Sequence, residues 1–229
     1  MAERQSPVDI PPGAPVRRDG LELRYGSIPL LLGREPTAVH VDNTGEMAAV
    51  IEGHSFGLAQ LHMHCPSEHT FGGTHTPLEL HLVHQSDEGS VAVVGITFVE
   101  GRANPGLEAI IAALDRDDAP PTLDLRTLVP ADRAHVAYDG SLTMPPYSEG
   151  VLWRVLIRAN TLSSAQLTAL LGFHNGNSRP VQPMGDRTFE SPTPMNLHSM
   201  RTNCDPVDAA TEAGGASPVS VPGTDVEAR

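Results

Sequence analysis

The 229 residues carry 28 acidic against 15 basic side chains, a formal charge of −13. Nucleic acid and anionic membrane surfaces both call for clustered positive charge, so neither is expected as a partner. With 39% hydrophobic content the chain can bury a substantial core in one domain, and its longest apolar runs fall far short of the ~20 residues a membrane-spanning helix needs.

The opening MAERQSPVDIPPG has no apolar stretch of signal-peptide type. The chain as written is therefore expected in the cytoplasm, and in the periplasm or outside the cell only if translation starts upstream. Further along, short runs with period-two alternation recur between Gly, Pro, Asn and Asp clusters: AVHVD (38–42), MAAVIE (47–52), LAQLHMH (58–64), LELHLVH (78–84) and VAVVGITFV (91–99). Such spacing predicts a mainly β protein built on a mostly antiparallel sheet. Two segments have helical spacing, NPGLEAIIAALDR (104–116) and LSSAQLTALLG (162–172). The second is expected to open at Ser163 or Ser164 and to close at Gly172. From residue 201 the composition turns to Gly, Pro, Ala and acid with no aromatics, too little apolar surface to order itself. The predicted organisation is one domain over 1–200 and a disordered tail over 201–229. Of the two cysteines, Cys65 and Cys204, one lies in that tail, so reduced thiols are expected.

The stretch QLHMHCPSEHT (60–70) carries the chemistry. In a strand, Gln60, His62 and His64 point the same way, and in the next alternating run Glu79, His81 and Val83 share a face. Pro66 to Leu78 is long enough to join the two runs as antiparallel neighbours. His62, His64 and His81 then converge as three neutral imidazoles with an open fourth position, the arrangement by which catalytic zinc holds a water and lowers its pKa to about 7. Gln60 and Glu79, each two residues before a candidate ligand, are placed to orient His62 and His81 through their other ring nitrogens. A competing pattern is that of the cupins, in which H-x-H, a glutamate four residues later and a distant histidine bind a metal. His62, His64, Glu68 and His81 fit it loosely, and this region alone does not separate the two.

Other segments do. QSPVDI (5–10), QLHMHCPSEHT, PLELHLVH, YDGSLTMPPYSEGVLWRVL (138–156) and NGNSRPVQP (175–183) resemble, in order, the signatures of the α-class carbonic anhydrases. The chain looks like an N-terminally short, bacterial-type member of that family. The resemblance implies a single domain on a large, mostly antiparallel twisted sheet with a few surface helices. It also implies a zinc-dependent carbonate dehydratase, interconverting carbon dioxide and bicarbonate plus a proton through zinc-bound hydroxide. Carried over position by position, it makes His62, His64 and His81 the Zn2+ ligands and Gln60, Glu79 and Asn177 their supports. Thr143 becomes the hydroxyl that accepts from the hydroxide and donates to an ionised Glu68, with Arg179 bracing the site from behind. Val83, Val93, Leu142, Val151 and Trp153 become the apolar wall where carbon dioxide rests. Two alternatives stand beside this reading: an acatalytic binding protein of the same family, and the same site used for ester or other carbonyl hydrolysis. The sequence is silent on oligomeric state.

Departures from the family pattern are also legible. QSP begins at Gln5, without the usual preceding aromatic segment, and Tyr147 stands where a cysteine often follows PP. The proton-shuttling histidine aligns with Glu46, whose ordinary pKa near 4.3 matches a zinc water near 7 worse than histidine does. Met144 replaces a small polar residue of the pocket, and Cys65 replaces an aromatic beside His64.

Overall fold

β-Branched and leucine-rich runs broken by glycine and proline give, in the computed structural model, a succession of strands with two helices. It describes residues 3–32, 38–40, 47–114, 122–174 and 176–191. In chain order these form β1 (Asp9–Ile10), β2 (Leu21–Arg24), β3 (Ser27–Pro29), β4 (Leu31–Leu32), β5 (Ala38–His40), β6 (Ala48–Ile51) and β7 (His54–His64). A short pair, β8 (Thr70–Phe71) and β9 (Thr74–His75), precedes β10 (Leu78–Gln85), β11 (Val91–Glu100) and α1 (Pro105–Leu114). Then come β12 (Thr122–Asp124), a 3-10 turn (Leu125–Leu128), β13 (His135–Ser141), β14 (Glu149–Leu156), β15 (Asn160–Leu162) and α2 (Ser164–His174). All lie within one compact unit, Met1–Thr193. The predicted tail 201–229, with Cys204, lies outside the described residues, as does Glu46.

The main sheet has ten strands, ordered β13-β14-β11-β10-β7-β5-β4, with β15 on β11, β6 on β7 and β2 on β6. Its pairings are antiparallel except those of β14 and β15 with β11. A large, mostly antiparallel sheet is what the alternation predicts; the parallel pairs depend on strand order, which alternation does not encode.

The centre of the sheet is buried on both sides. In β10, Leu78, Leu80 and Leu82 enter a large core beneath the helices, where Leu61, Met63, Cys65, Val94, Ile96, Leu107, Ile110 and Leu170 also pack. Each such leucine contributes about 2 kcal/mol of apolar burial. On the opposite face Val83, Val93, Tyr138, Val151 and Trp153 form a second apolar cluster with Val8, Ile10 and Phe189. Alternation in LAQLHMH is not plain. The register of β7 on β10 slips between Gln60, opposite Val83, and Leu58, opposite His84. This bulge leaves Ala59 unmatched and lets Leu58 and Leu61 both reach the helix-side core, with Gln60, His62 and His64 on the other face.

Both helices start on side-chain caps. The Asn104 Oδ1 accepts from the amides of Gly106 (2.9 Å) and Leu107 (3.2 Å) at the head of α1. Ser163, of the two candidates, caps α2: its Oγ accepts from the Gln166 amide at 3.2 Å, while Gln166 Oε1 accepts from the Ser163 amide at 3.2 Å. Gly172 does not close this helix, which runs on to His174. A single glycine in a helix interior costs only about 1 kcal/mol, which neighbouring turns absorb.

Candidate metal centre and active-site cavity

Antiparallel pairing of β7 with β10 sets His62 opposite His81, His64 opposite Glu79 and Gln60 opposite Val83. Residues opposed across a ladder project to the same face, so the three imidazoles meet. Their ring centroids lie 5.0 Å (His62–His64), 5.1 Å (His62–His81) and 4.7 Å (His64–His81) apart. One nitrogen from each falls within 4.8 Å of the others, and all three residues are buried.

Oxygen atoms behind the rings settle which nitrogens face inward. His62 Nδ1 lies 2.9 Å from Gln60 Oε1, His64 Nδ1 3.1 Å from the Asn177 carbonyl, and His81 Nε2 3.0 Å from Glu79 Oε1. Such oxygens only accept, so each of these nitrogens carries the proton. The lone pairs of His62 Nε2, His64 Nε2 and His81 Nδ1 are left turned toward one another, and two of those atoms, His62 Nε2 and His81 Nδ1, are 3.3 Å apart. Three neutral imidazole lone pairs aimed at one buried point suit a borderline cation such as zinc. Asn177 is fixed in turn, its Oδ1 accepting from the Cys65 amide (3.0 Å) and its Nδ2 donating to the Met63 carbonyl (2.9 Å). Cys65 itself packs into the helix-side core with Met63, away from the imidazoles.

Behind Glu79 lies a chain of groups that the sequence reading does not single out. His69 Nδ1 donates to Glu79 Oε1 at 2.7 Å, and Glu79 Oε2 accepts from the amides of Glu68 (2.9 Å) and His69 (2.8 Å). His69 Nε2 meets the Tyr138 hydroxyl at 2.7 Å, and that hydroxyl meets Ser6 Oγ at 3.0 Å. Burial by itself pushes the Glu79 carboxyl up, but the histidines on either side hold it well below the usual carboxylate range. His69, Glu79 and His81 form a second cluster of ligand-type residues, closed by these hydrogen bonds. Two glycines make room: a Cβ on Gly95, opposite His81 in β11, would come within 3.0 Å of Glu79 Oε1, and one on Gly140 would collide with Ser6 Oγ.

Glu68 stands beside the imidazoles, with Oε1 3.4 Å from His64 Nδ1 and Oε2 3.8 Å from His81 Nδ1. Its Oε1 accepts from the Arg179 amide at 2.8 Å. Thr143 also acts on this carboxylate through its side chain, and Oε2 accepts no hydrogen bond from the described residues. Burial raises the Glu68 pKa, with His81, Thr143 and the Arg179 amide opposing it. Because Glu68 Oε1 is held by the Arg179 amide and the sheet is an open, ten-stranded one rather than a small barrel, the cupin arrangement does not apply.

Above the imidazoles opens a cavity of about 220 Å³, lined by Gln60, His62, His81, Val83, Val93, Leu142, Thr143, Met144, Pro145 and Trp153. Its walls are mainly apolar. Of the wall residues that the family resemblance implies, Val151 is the exception: it packs in the core behind the wall, 2% exposed, and Pro145 lines the cavity in its stead. In β14 Val151 and Trp153 project to one face and join one apolar cluster, but only Trp153 of the two lines the cavity. Met144, 42% exposed, sits at the mouth. Among the described residues no helix is long and apolar enough to cross a membrane.

The family model for eukaryotic-type carbonic anhydrases matches residues 1–193. A carbonic anhydrase of Klebsiella pneumoniae is 38% identical over 192 residues, spanning 80% of this chain and 78% of that one. Among solved structures, the α-carbonic anhydrase of Photobacterium profundum superposes with a TM-score of 0.74 at 34% identity, over 82% of this chain and 89% of that one. That of Thermovibrio ammonificans, solved with the inhibitor sulfanilamide, gives 0.72 at 33% identity, over 82% and 87%. Fold, site and relatives agree: the chain belongs to the α-class carbonic anhydrase family, and it is an enzyme of that class.

Proposed function

We propose that this protein catalyses the reversible hydration of carbon dioxide to bicarbonate and a proton, with one Zn2+ held by His62 Nε2, His64 Nε2 and His81 Nδ1. The observation that carries the reading is the convergence of these three nitrogens at the floor of an apolar cavity. Zinc bound there supplies Lewis-acid chemistry, lowering the pKa of a water toward 7.

The chain's own residues do the rest. Gln60, Glu79 and the Asn177 carbonyl hold the ring tautomers so that no ligand nitrogen has to lose a proton first. Val83, Val93, Leu142 and Trp153 offer an uncharged substrate a surface without hydrogen-bonding groups. Thr143, facing Glu68, directs its hydroxyl proton toward the carboxylate, which leaves its oxygen to accept from the attacking oxygen and aim it at the substrate carbon. Intact ligands together with Thr143 and Glu68 favour catalysis over an acatalytic role. The deciding experiment is zinc analysis of purified protein followed by a carbon dioxide hydration assay in strong buffer, with Thr143→Ala in parallel. Turnover that depends on zinc and falls roughly 100-fold in the variant supports the reading; zinc-loaded protein without hydration activity refutes it.

A further inference from the structure

Tyr147 adopts φ 60°, a left-handed conformation that a bulky residue keeps only when its surroundings over-determine it. Its amide donates to the Met144 carbonyl at 2.9 Å, its carbonyl accepts from Gln5 Nε2 at 3.3 Å, and its ring lies beneath the Arg179 guanidinium, 3.8 Å from Cζ to the ring centroid. A planar cation at that distance is attracted by the ring face and stacks on it. Arg179 Nη1 also donates to Gln5 Oε1 (3.0 Å) and to the Ser6 carbonyl (2.6 Å), so the Gln5 amide links Arg179 to Tyr147 a second time. From its backbone, the same Arg179 donates to Glu68 Oε1. The contacts close a ring: Thr143 faces Glu68, Glu68 is held by Arg179, Arg179 is stacked on Tyr147, and Tyr147 ends the turn that starts at Met144, beside Thr143.

We infer that Tyr147 is a positioning residue: stacked under Arg179, it fixes the 144–147 turn relative to the Arg179 amide and so keeps the Thr143 hydroxyl against Glu68. Its effect on rate rests on the hydration chemistry proposed above; its effect on the loop does not. His64 is insulated from it, because Asn177, whose carbonyl holds that ring, has its own anchors on Met63 and Cys65.

The test compares full-length zinc-loaded wild type with Tyr147→Leu, which keeps bulk but removes the ring face, and Tyr147→Phe, which keeps the face. Tyr147→Leu is expected to retain one zinc per chain, to lose roughly ten-fold in kcat/KM, and to exchange its Arg179 amide proton several-fold faster. Tyr147→Phe should match wild type in both. Should Tyr147→Leu not fold, Arg179→Lys, which keeps the charge and the backbone donor but not the plane, is measured in the same way. Unchanged amide exchange in Tyr147→Leu overturns the inference, as does an equal loss in the Phe and Leu variants. If zinc-loaded wild type fails to hydrate carbon dioxide, the functional reading falls, and the exchange rates alone decide the role of Tyr147.

Discussion

His62 Nε2 and His81 Nδ1 face each other across 3.3 Å with their opposite nitrogens committed to Gln60 and Glu79. Two lone pairs at that separation repel unless a proton or a metal ion lies between them. One zinc per chain is therefore expected, and adding zinc to chelator-treated protein should raise its melting temperature, because the ion binds the folded site and not the open chain. His81→Ala should abolish stoichiometric zinc. Cys65 should contribute no sulfur at about 2.3 Å from the metal. Zinc content unchanged in His81→Ala would sink the assignment.

His69 touches no ligand nitrogen of the site, yet it is the group that faces Glu79 from behind. Its removal leaves a fully buried carboxylate short of one partner and strips the Tyr138 hydroxyl of another. His69→Ala should therefore cost about 3 kcal/mol of stability and weaken zinc binding by roughly 10- to 100-fold through the looser His81 ring. His69→Asn, whose amide can still donate to Glu79, should recover part of both. Urea midpoints and competition for zinc with a coloured chelator measure the two effects, and equal zinc affinity in all three proteins would show that Glu79 orients His81 unaided.

The convergence of His62, His64 and His81 is readable in the sequence because the pleat of a strand fixes side-chain direction locally, so the H-x-H of one run and the E-x-H of the next reveal which residues share a face. The His69–Tyr138–Ser6 chain is not. Tyr138 and Ser6 lie 132 positions apart: Tyr138 reaches the site because β13 pairs with β14 and β14 lies parallel beside β11, and Ser6 is held there by hydrogen bonds with Ser141. Periodicity carries no strand order. The bulge at Ala59 escapes for a related reason: only the pairing with β10 makes the extra residue visible. The cavity wall is legible only through the resemblance to the family, and the structure departs from it at Val151, which shares a face with Trp153 but does not line the cavity.

His84 is buried on the helix-side face of β10, with Nε2 2.8 Å from the Tyr25 hydroxyl. Burial holds its pKa down at about 4, against an ordinary 6.5. The folded protein thus keeps His84 neutral where the unfolded chain takes up a proton. Its contribution to stability is complete above pH 6.5, declines by roughly 1.4 kcal/mol per unit as the pH falls, and is lost at about pH 4. Urea midpoints compared between pH 7.5 and 5 should fall more steeply for wild type than for His84→Gln, which has no proton to gain. Parallel slopes for the two proteins would count against the assignment.

In the proposed reaction, proton export is the step that the described residues of the cavity serve least. Among the described residues that line it, the titratable side chains are His62 and His81, whose outer nitrogens are committed to Gln60 and Glu79. His54 begins β7 and is exposed, and His75 directs Nδ1 to the Ser67 carbonyl at 2.6 Å; neither lines the cavity. Glu46, aligned with the shuttle position by resemblance to the family, has an ordinary pKa near 4.3, a poor match for a group near 7. In the proposed reaction, hydration and proton release to solvent are separate steps served by separate groups. Raising an imidazole-type buffer from low to high concentration should therefore increase kcat strongly while leaving kcat/KM nearly unchanged, because the buffer enters only after bicarbonate has formed. Glu46→His should flatten that dependence by supplying inside the protein the base that buffer supplies from outside. A high kcat already insensitive to buffer in wild type would mean that another side chain carries the proton, and substitution of His54 and His75 in turn would identify it.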